Sequence, residues 1–253
     1  MLAFALPALG FAADFDPSHR LYGEVLVRFV QGGLVDYASL KADRGKLDLY
    51  LDQLAAVPKD RFKTWSPQER LAFLINLYNA STLRLIIDHY PVKSIKGIGS
   101  FFKGPWDQEV VRVFGDTITL NTLEHKIIRP EYREPRAHFA LVCAAMGCPP
   151  LRGEPYAAAE LQGQLDDQGR LFLSATHKNR VDAAGRTVYL SPIFKWYAED
   201  FQKKSGSVLS FVEPYFPEGA AKGLPAGGYS VKYTEYDWSL NERKAKAGGA
   251  AEK

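Results

Sequence analysis

Arg136-Ala-His138-Phe-Ala-Leu-Val-Cys143-Ala-Ala-Met-Gly-Cys148-Pro-Pro holds both cysteines of the chain and one of its five histidines. Two thiols and an imidazole this close can form a nucleophile with its base, a redox pair, a metal site or a disulfide staple. Cys143 and Cys148 enclose four residues, one of them a Gly that lets the chain turn. A disulfide is the default in an oxidising compartment, and on chain-entropy grounds so short a loop contributes about 2 kcal/mol. A catalytic thiolate would need an imidazolium or a helix N-terminus to lower its pKa.

The other candidates lie outside this run. His125 follows Glu124, and adjacent helical residues point about 100° apart, so the two are not expected to face one target. Asn121 and Glu124 have capping-box spacing, which gives Glu124 a structural job and leaves His125 free for acid/base or ligand work. Asn76 and Asn79 are three apart in an apolar setting and must be paired. They are expected to pin the Cys-bearing backbone, or else to orient a ligand's peptide group. Asp237, beside Trp238, could orient a histidine as a third triad member or make a terminal salt bridge. His125, His138 and a cysteine match no closed zinc spacing, and no metal or cofactor is expected. The catalytic candidates are therefore Cys143, Cys148, His138 and His125, and the ligand-binding candidates Asn76, Asn79, Glu124 and Asp237.

The elements that must position these residues follow from pattern. Asp16-Pro17 opens a helix with Leu21, Val25, Leu26 and Phe29 apolar, and Gly32-Gly33 ends it. A second helix runs from about Lys46 to Ala56. Ser66-Pro67-Gln68-Glu69 combines a capping box with a first-turn proline and opens a central helix over 70–88, apolar nearly all round. Residues 109–114 and 116–120 form a hairpin about Gly115, followed by a helix from Asn121 to Arg129 that Pro130 stops. Phe139 to Val142 read as a buried strand, which would point His138 and Cys143 to opposite faces. A helix near 157–173, a hairpin about Ala184-Gly185, a helix from Ser191-Pro192 through Lys203 and a last strand over 229–238 complete the chain. Trp196 and Tyr197 have the spacing of core residues. Helices first and hairpins later imply α+β, with N-terminal helices packed on a mostly antiparallel sheet.

Several stretches resemble one family. They are Ala72-Phe-Leu-Ile-Asn76-Leu-Tyr78-Asn79-Ala80, Tyr90-Pro-Val-Lys-Ser-Ile95, Pro105-Trp106-Asp107, Leu123-Glu124-His125 and the Cys-bearing run. Further on come Tyr189 to Tyr197 and Tyr236 to Asn241. They resemble the domain of unknown function 547 family over roughly Asp36–Asn241, with departures at Leu74, where the family usually has Trp, and Val142, where it often has Asn. The resemblance implies a fold and no reaction. By fold-level analogy alone, a buried helix followed by strands carrying His138 and Asp237 is distantly papain- or transglutaminase-like.

Composition bounds the rest. The chain has 253 residues, is 46% hydrophobic and carries a net charge of +3, which suits one large globular domain. Scattered Lys and Arg give no nucleic-acid footprint, and no apolar run approaches the ~20 residues of a membrane span. Residues 1–13 read as a secretory-signal remnant, 14–241 as one domain and 242–253 as a solvated tail. The expected function is an extracytoplasmic (periplasmic or secreted) scaffold or binding domain for a small-molecule or peptide-like ligand. The alternative is a cysteine-dependent amide or thioester hydrolase or transferase.

Overall fold

A computed structural model describes residues 15–244 apart from 101 and 227. The apolar start lies outside the described residues, as does the tail beyond 244.

Helices carry most of the fold. Arg20–Phe29 buries Tyr22, Val25, Leu26 and Phe29, the stripe its period dictates. It packs on Gly45–Ala55, which in turn packs against the central helix, Pro67–His89. The capping box forms as read: the Ser66 hydroxyl accepts from the Glu69 N–H at 3.2 Å, and the Glu69 carboxylate accepts from the Ser66 N–H at 2.8 Å. Every residue from Leu71 to Leu83 is buried.

Among the described residues the strands form three small sheets. Val30–Gln31 pairs with Leu34–Val35 about Gly32 and Gly33, both at positive φ. A Cβ on Gly33 would lie 2.4 Å from that of Pro150, so the turn also needs glycine to meet the Cys-bearing loop. Glu109–Val113 and Asp116–Thr119 form the expected antiparallel hairpin. Arg180–Asp182 and Thr187–Leu190 form the other, and Ser230–Tyr233 adds to it in parallel. The mixed α+β class holds, with three sheets in place of one and a parallel last strand.

Three local expectations change. Residues 139–142 are not a strand: Ala137–Ala140 is a single helical turn, closed by the Leu141 N–H on the Ala137 carbonyl at 2.9 Å. A short run of apolar residues has no periodicity with which to separate helix from strand, and two alanines favour the turn. The helix after the hairpin does not stop at Pro130. It passes through a π-helical turn, Leu123–Ile128, and continues as Arg129–Tyr132. The Arg129 N–H bonds the Glu124 carbonyl five residues back, and this widened turn relieves the clash that a proline ring makes within a helix. Its N-cap is Thr119, whose hydroxyl accepts from the Thr122 N–H, so Asn121 and Glu124 make no capping box.

Burial divides into two clusters. Leu71, Ile75 and Leu141 belong to the first, built on the N-terminal helices. Phe139 belongs to the second, with Phe172, Phe194, Phe201 and Phe211. These four residues are thus divided between two clusters within what the sequence suggests is one domain, because the 137–140 turn places Ala137 and Ala140 on one side and Phe139 on the other. The start of the supposed tail is anchored too. Glu242 bridges Val35, the Arg243 N–H donates to the Val35 carbonyl at 2.8 Å, and the Arg243 guanidinium pairs with Asp36 at 3.3 Å.

Candidate functional site

Two asparagines of the central helix fix backbone at and beyond the site. Asn79 donates to the Ala140 carbonyl at 2.9 Å and accepts from the Val142 N–H at 3.0 Å. Asn76 holds Tyr156 in the same two-way fashion, at 2.8 and 2.9 Å. Both amides are thereby spent on backbone: Asn79 takes the expected pinning role on the Cys-bearing segment, Asn76 instead holds Tyr156 beyond it, and neither lines the cleft as a ligand-binding group. From the other side, residues 237–241 lace the loop: the Met146 N–H bonds the Ser239 carbonyl and the Gly147 N–H that of Asp237, each at 2.8 Å. A Cβ on Gly147 would come within 3.0 Å of the Asp237 backbone, so glycine lets the two segments touch.

Held this way, Cys143 and Cys148 are joined as a disulfide with Cα atoms 6.2 Å apart. Cys148 is buried and Cys143 half-buried. The Cys143 N–H points at the Cys148 sulfur at 2.9 Å. The Tyr236 hydroxyl lies 3.0 Å from the Cys143 sulfur and 3.2 Å from that of Cys148. Burial raises the pKa of this phenol well above its usual value, so it remains a hydroxyl. On the loop's far side the Lys178 ammonium donates to the Cys148 carbonyl at 2.7 Å, and burial pulls its pKa down to about 8.

A buried polar chain faces the disulfide across the cleft. His138 Nε2 meets the Asp200 carboxylate at 2.8 Å, and its Nδ1 lies 3.9 Å from Glu124. The ring stacks on Tyr197 with centroids 3.8 Å apart. Arg129 makes a two-point pair with Asp200 at 2.7 and 3.0 Å and donates to His125 Nδ1 at 2.9 Å. The hydrogen bond from His138, reinforced by that from Arg129, holds the Asp200 carboxyl well below the usual carboxylate range. Glu124 is buried and accepts from the Tyr78 hydroxyl at 3.2 Å. Burial, together with the Glu124 charge, pushes the Tyr78 and Tyr197 phenols upward.

These groups enclose a cleft of about 240 Å³, walled by Trp106, Trp196, Tyr236 and Trp238. His125, His138, Glu124, Cys143 and Cys148 all line it, so five of the eight candidates come together. Glu124 and His125 both reach it despite the helical-neighbour argument, with Glu124 buried and His125 half-buried. Asp237 does not take part: its exposed carboxylate caps the turn at Ser239, 2.9 Å from that N–H. The acidic partner of His138 is Asp200, a residue that sequence reasoning missed. Trp196 and Tyr197 were read as core. The helix breaks between Ile193–Trp196 and Ala198–Ser205, and the break at Tyr197 turns both rings to the cleft. The family-like stretches ending at Tyr197 and starting at Tyr236 were the available signal. Among the described residues, no three His, Cys, Asp or Glu side chains are placed to hold a metal ion. No described helix is long and apolar enough to cross a membrane.

No curated protein and no solved structure matches the chain. Residues 62–173 match the family described as "Protein of unknown function, DUF547". The match runs from just before the central helix through the π-helical turn and the Cys-bearing loop to the end of the helix Leu161–Leu173. It stops before Trp196, Tyr197, Asp200, Tyr236 and Trp238, and so takes in the disulfide and the His138–Glu124 side of the cleft but not these later groups, a shorter span than the 36–241 expected. With Asn76, Asn79, Glu124, His125, His138 and both cysteines inside the matched segment, the chain resembles the DUF547 family over residues 62–173.

Proposed function

We propose that the protein is an extracytoplasmic binding domain whose cleft takes a small polar or peptide-like ligand. The observation that carries this reading is the cleft itself. Aromatic walls surround a few fixed polar groups, Glu124, His125 and His138, the usual composition of a ligand site. Those groups are locked by partners before any ligand arrives, which lowers the ordering cost of binding. The extracytoplasmic setting is supported by the apolar start of the chain and by the joined cysteines.

The second reading is cysteine-dependent amide or thioester transfer, with the papain- or transglutaminase-like analogy behind it. The His138–Asp200 pair favours it, since a carboxylate orients the imidazole as in a triad. It requires a free thiolate, and the disulfide occupies both sulfurs. Iodoacetamide applied to unreduced native protein separates the two: no labelling until reduction supports binding, and fast labelling of one cysteine supports the enzyme.

Three of the four tryptophans line the cleft, so intrinsic emission reports its occupancy. Titration with a series of N-acetyl dipeptide amides should give a saturable change that Trp196→Ala removes while circular dichroism stays unchanged. A flat titration across the whole series would overturn the binding reading.

A further inference from the structure

Whether a disulfide is a passive staple or a reagent depends on how its two sulfurs are surrounded. A reagent needs one sulfur open to an attacking thiolate and the other placed where its departing negative charge is stabilised. The Cys143–Cys148 bond is asymmetric in this sense. Cys143 is half-buried, whereas Cys148 is only 4% exposed. The Cys148 sulfur faces two donors, the Cys143 N–H at 2.9 Å and the Tyr236 hydroxyl at 3.2 Å, whereas the Cys143 sulfur faces only that hydroxyl, at 3.0 Å. A disulfide sulfur is a weak acceptor, so these donors are poorly used until the sulfur becomes a thiolate. Both sulfurs line the 240 Å³ cleft, which has room for a small thiol.

The scaffold around the loop does not depend on the S–S bond. Asn79 pins the backbone just before Cys143, and the bonds from Met146 and Gly147 to Ser239 and Asp237 hold it just before Cys148. None of these contacts uses a sulfur atom, so the two thiols would stay facing each other for reoxidation.

We infer that Cys143–Cys148 exchanges with a low-molecular-weight thiol admitted to the cleft, with Cys143 the sulfur attacked and Cys148 the leaving group. The incoming thiolate forms a bond to the Cys143 sulfur as the S–S bond breaks. The bonding pair passes to Cys148, whose thiolate is held by the Cys143 N–H and the Tyr236 hydroxyl. A second thiolate then attacks the mixed disulfide and releases the small-molecule disulfide, leaving Cys143 as a thiolate that takes a proton from solvent. Two small thiols are oxidised by two electrons and the protein disulfide is reduced, and the reverse sequence restores it. The exchange uses the same cleft as the binding reading but not its peptide-like ligand, so either can fail alone.

The probe is reduced glutathione acting on the full native chain. Samples are quenched in acid and digested with trypsin without reduction. Fragment spectra of the 137–152 peptide then locate the adduct. The expected result is glutathione on Cys143 with Cys148 free, and faster reduction of the native chain than of the same chain unfolded in urea. Tyr236→Phe, which keeps the ring and removes the donor, should slow native reduction about tenfold, the order expected for one hydrogen bond to a charged group. An adduct on Cys148, native reduction slower than in urea, or an unchanged rate in a folded Tyr236→Phe variant would each overturn the inference.

Discussion

His138 is held between two carboxylates, with Asp200 at 2.8 Å from Nε2 and Glu124 at 3.9 Å from Nδ1, and its face is covered by Tyr197. Such an imidazole is oriented before any ligand enters, and the group that orients it is also tied to Arg129. The pairing has a consequence for acid stability. The folded Asp200 carboxyl titrates below its ordinary value, so its contribution to stability is complete above the unfolded pKa, near 4, and is lost as pH falls through the folded value. Asp200→Asn should therefore lower the urea midpoint at neutral pH. Its deficit against wild type should shrink as pH falls from about 5 toward 2. A deficit constant across that range would mean that the carboxylate's charge contributes nothing to the site.

At the scale of elements, the cleft depends on the central helix reaching across to a loop far away in sequence. Asn79 supplies the donor for Ala140 and the acceptor for Val142, both in a buried setting where water does not replace them. Asn79→Ala should thus cost roughly 2–6 kcal/mol, since it strands two backbone groups at about 1–3 kcal/mol each. Chemical denaturation measures this, and a loss below about 1 kcal/mol would show that the loop finds other partners. The capping box, the central helix and both hairpins were legible in the sequence, because local spacing and turn chemistry determine them. The 137–140 turn and the π-helical turn were not. Each is a few residues long, and its backbone is chosen by the packing of neighbours rather than by its own period.

For the molecule as a whole, the two buried clusters meet at that same turn. Phe139 is fully buried among five rings of the second cluster, with centroids 5.8 to 6.3 Å away, while Ala137, Ala140 and Leu141 pack into the first. Phe139→Ala should cost about 3–5 kcal/mol, the usual range for emptying a buried aromatic site. Because the turn belongs to both clusters, far-UV circular dichroism and tryptophan emission should shift to lower denaturant together. Separate transitions by the two probes would show that the clusters unfold independently.

The sequence by itself determined the mixed α+β class, the buried central helix, the need for Asn76 and Asn79 to be paired, and the pairing range of Cys143 and Cys148. All of these follow from spacing within one segment or from the rule that buried polar groups find partners. Only the tertiary structure decided that Asp200, and not Asp237, stands behind His138, and that Tyr236 meets both sulfurs. Asp200 lies 62 residues from His138 along the chain, and Tyr236 lies 93 from Cys143. Local pattern carries no information about which of several acidic or aromatic residues will arrive at a given point. That choice is made when a break at Tyr197 and the lacing of residues 237–241 bring the far segments onto the loop.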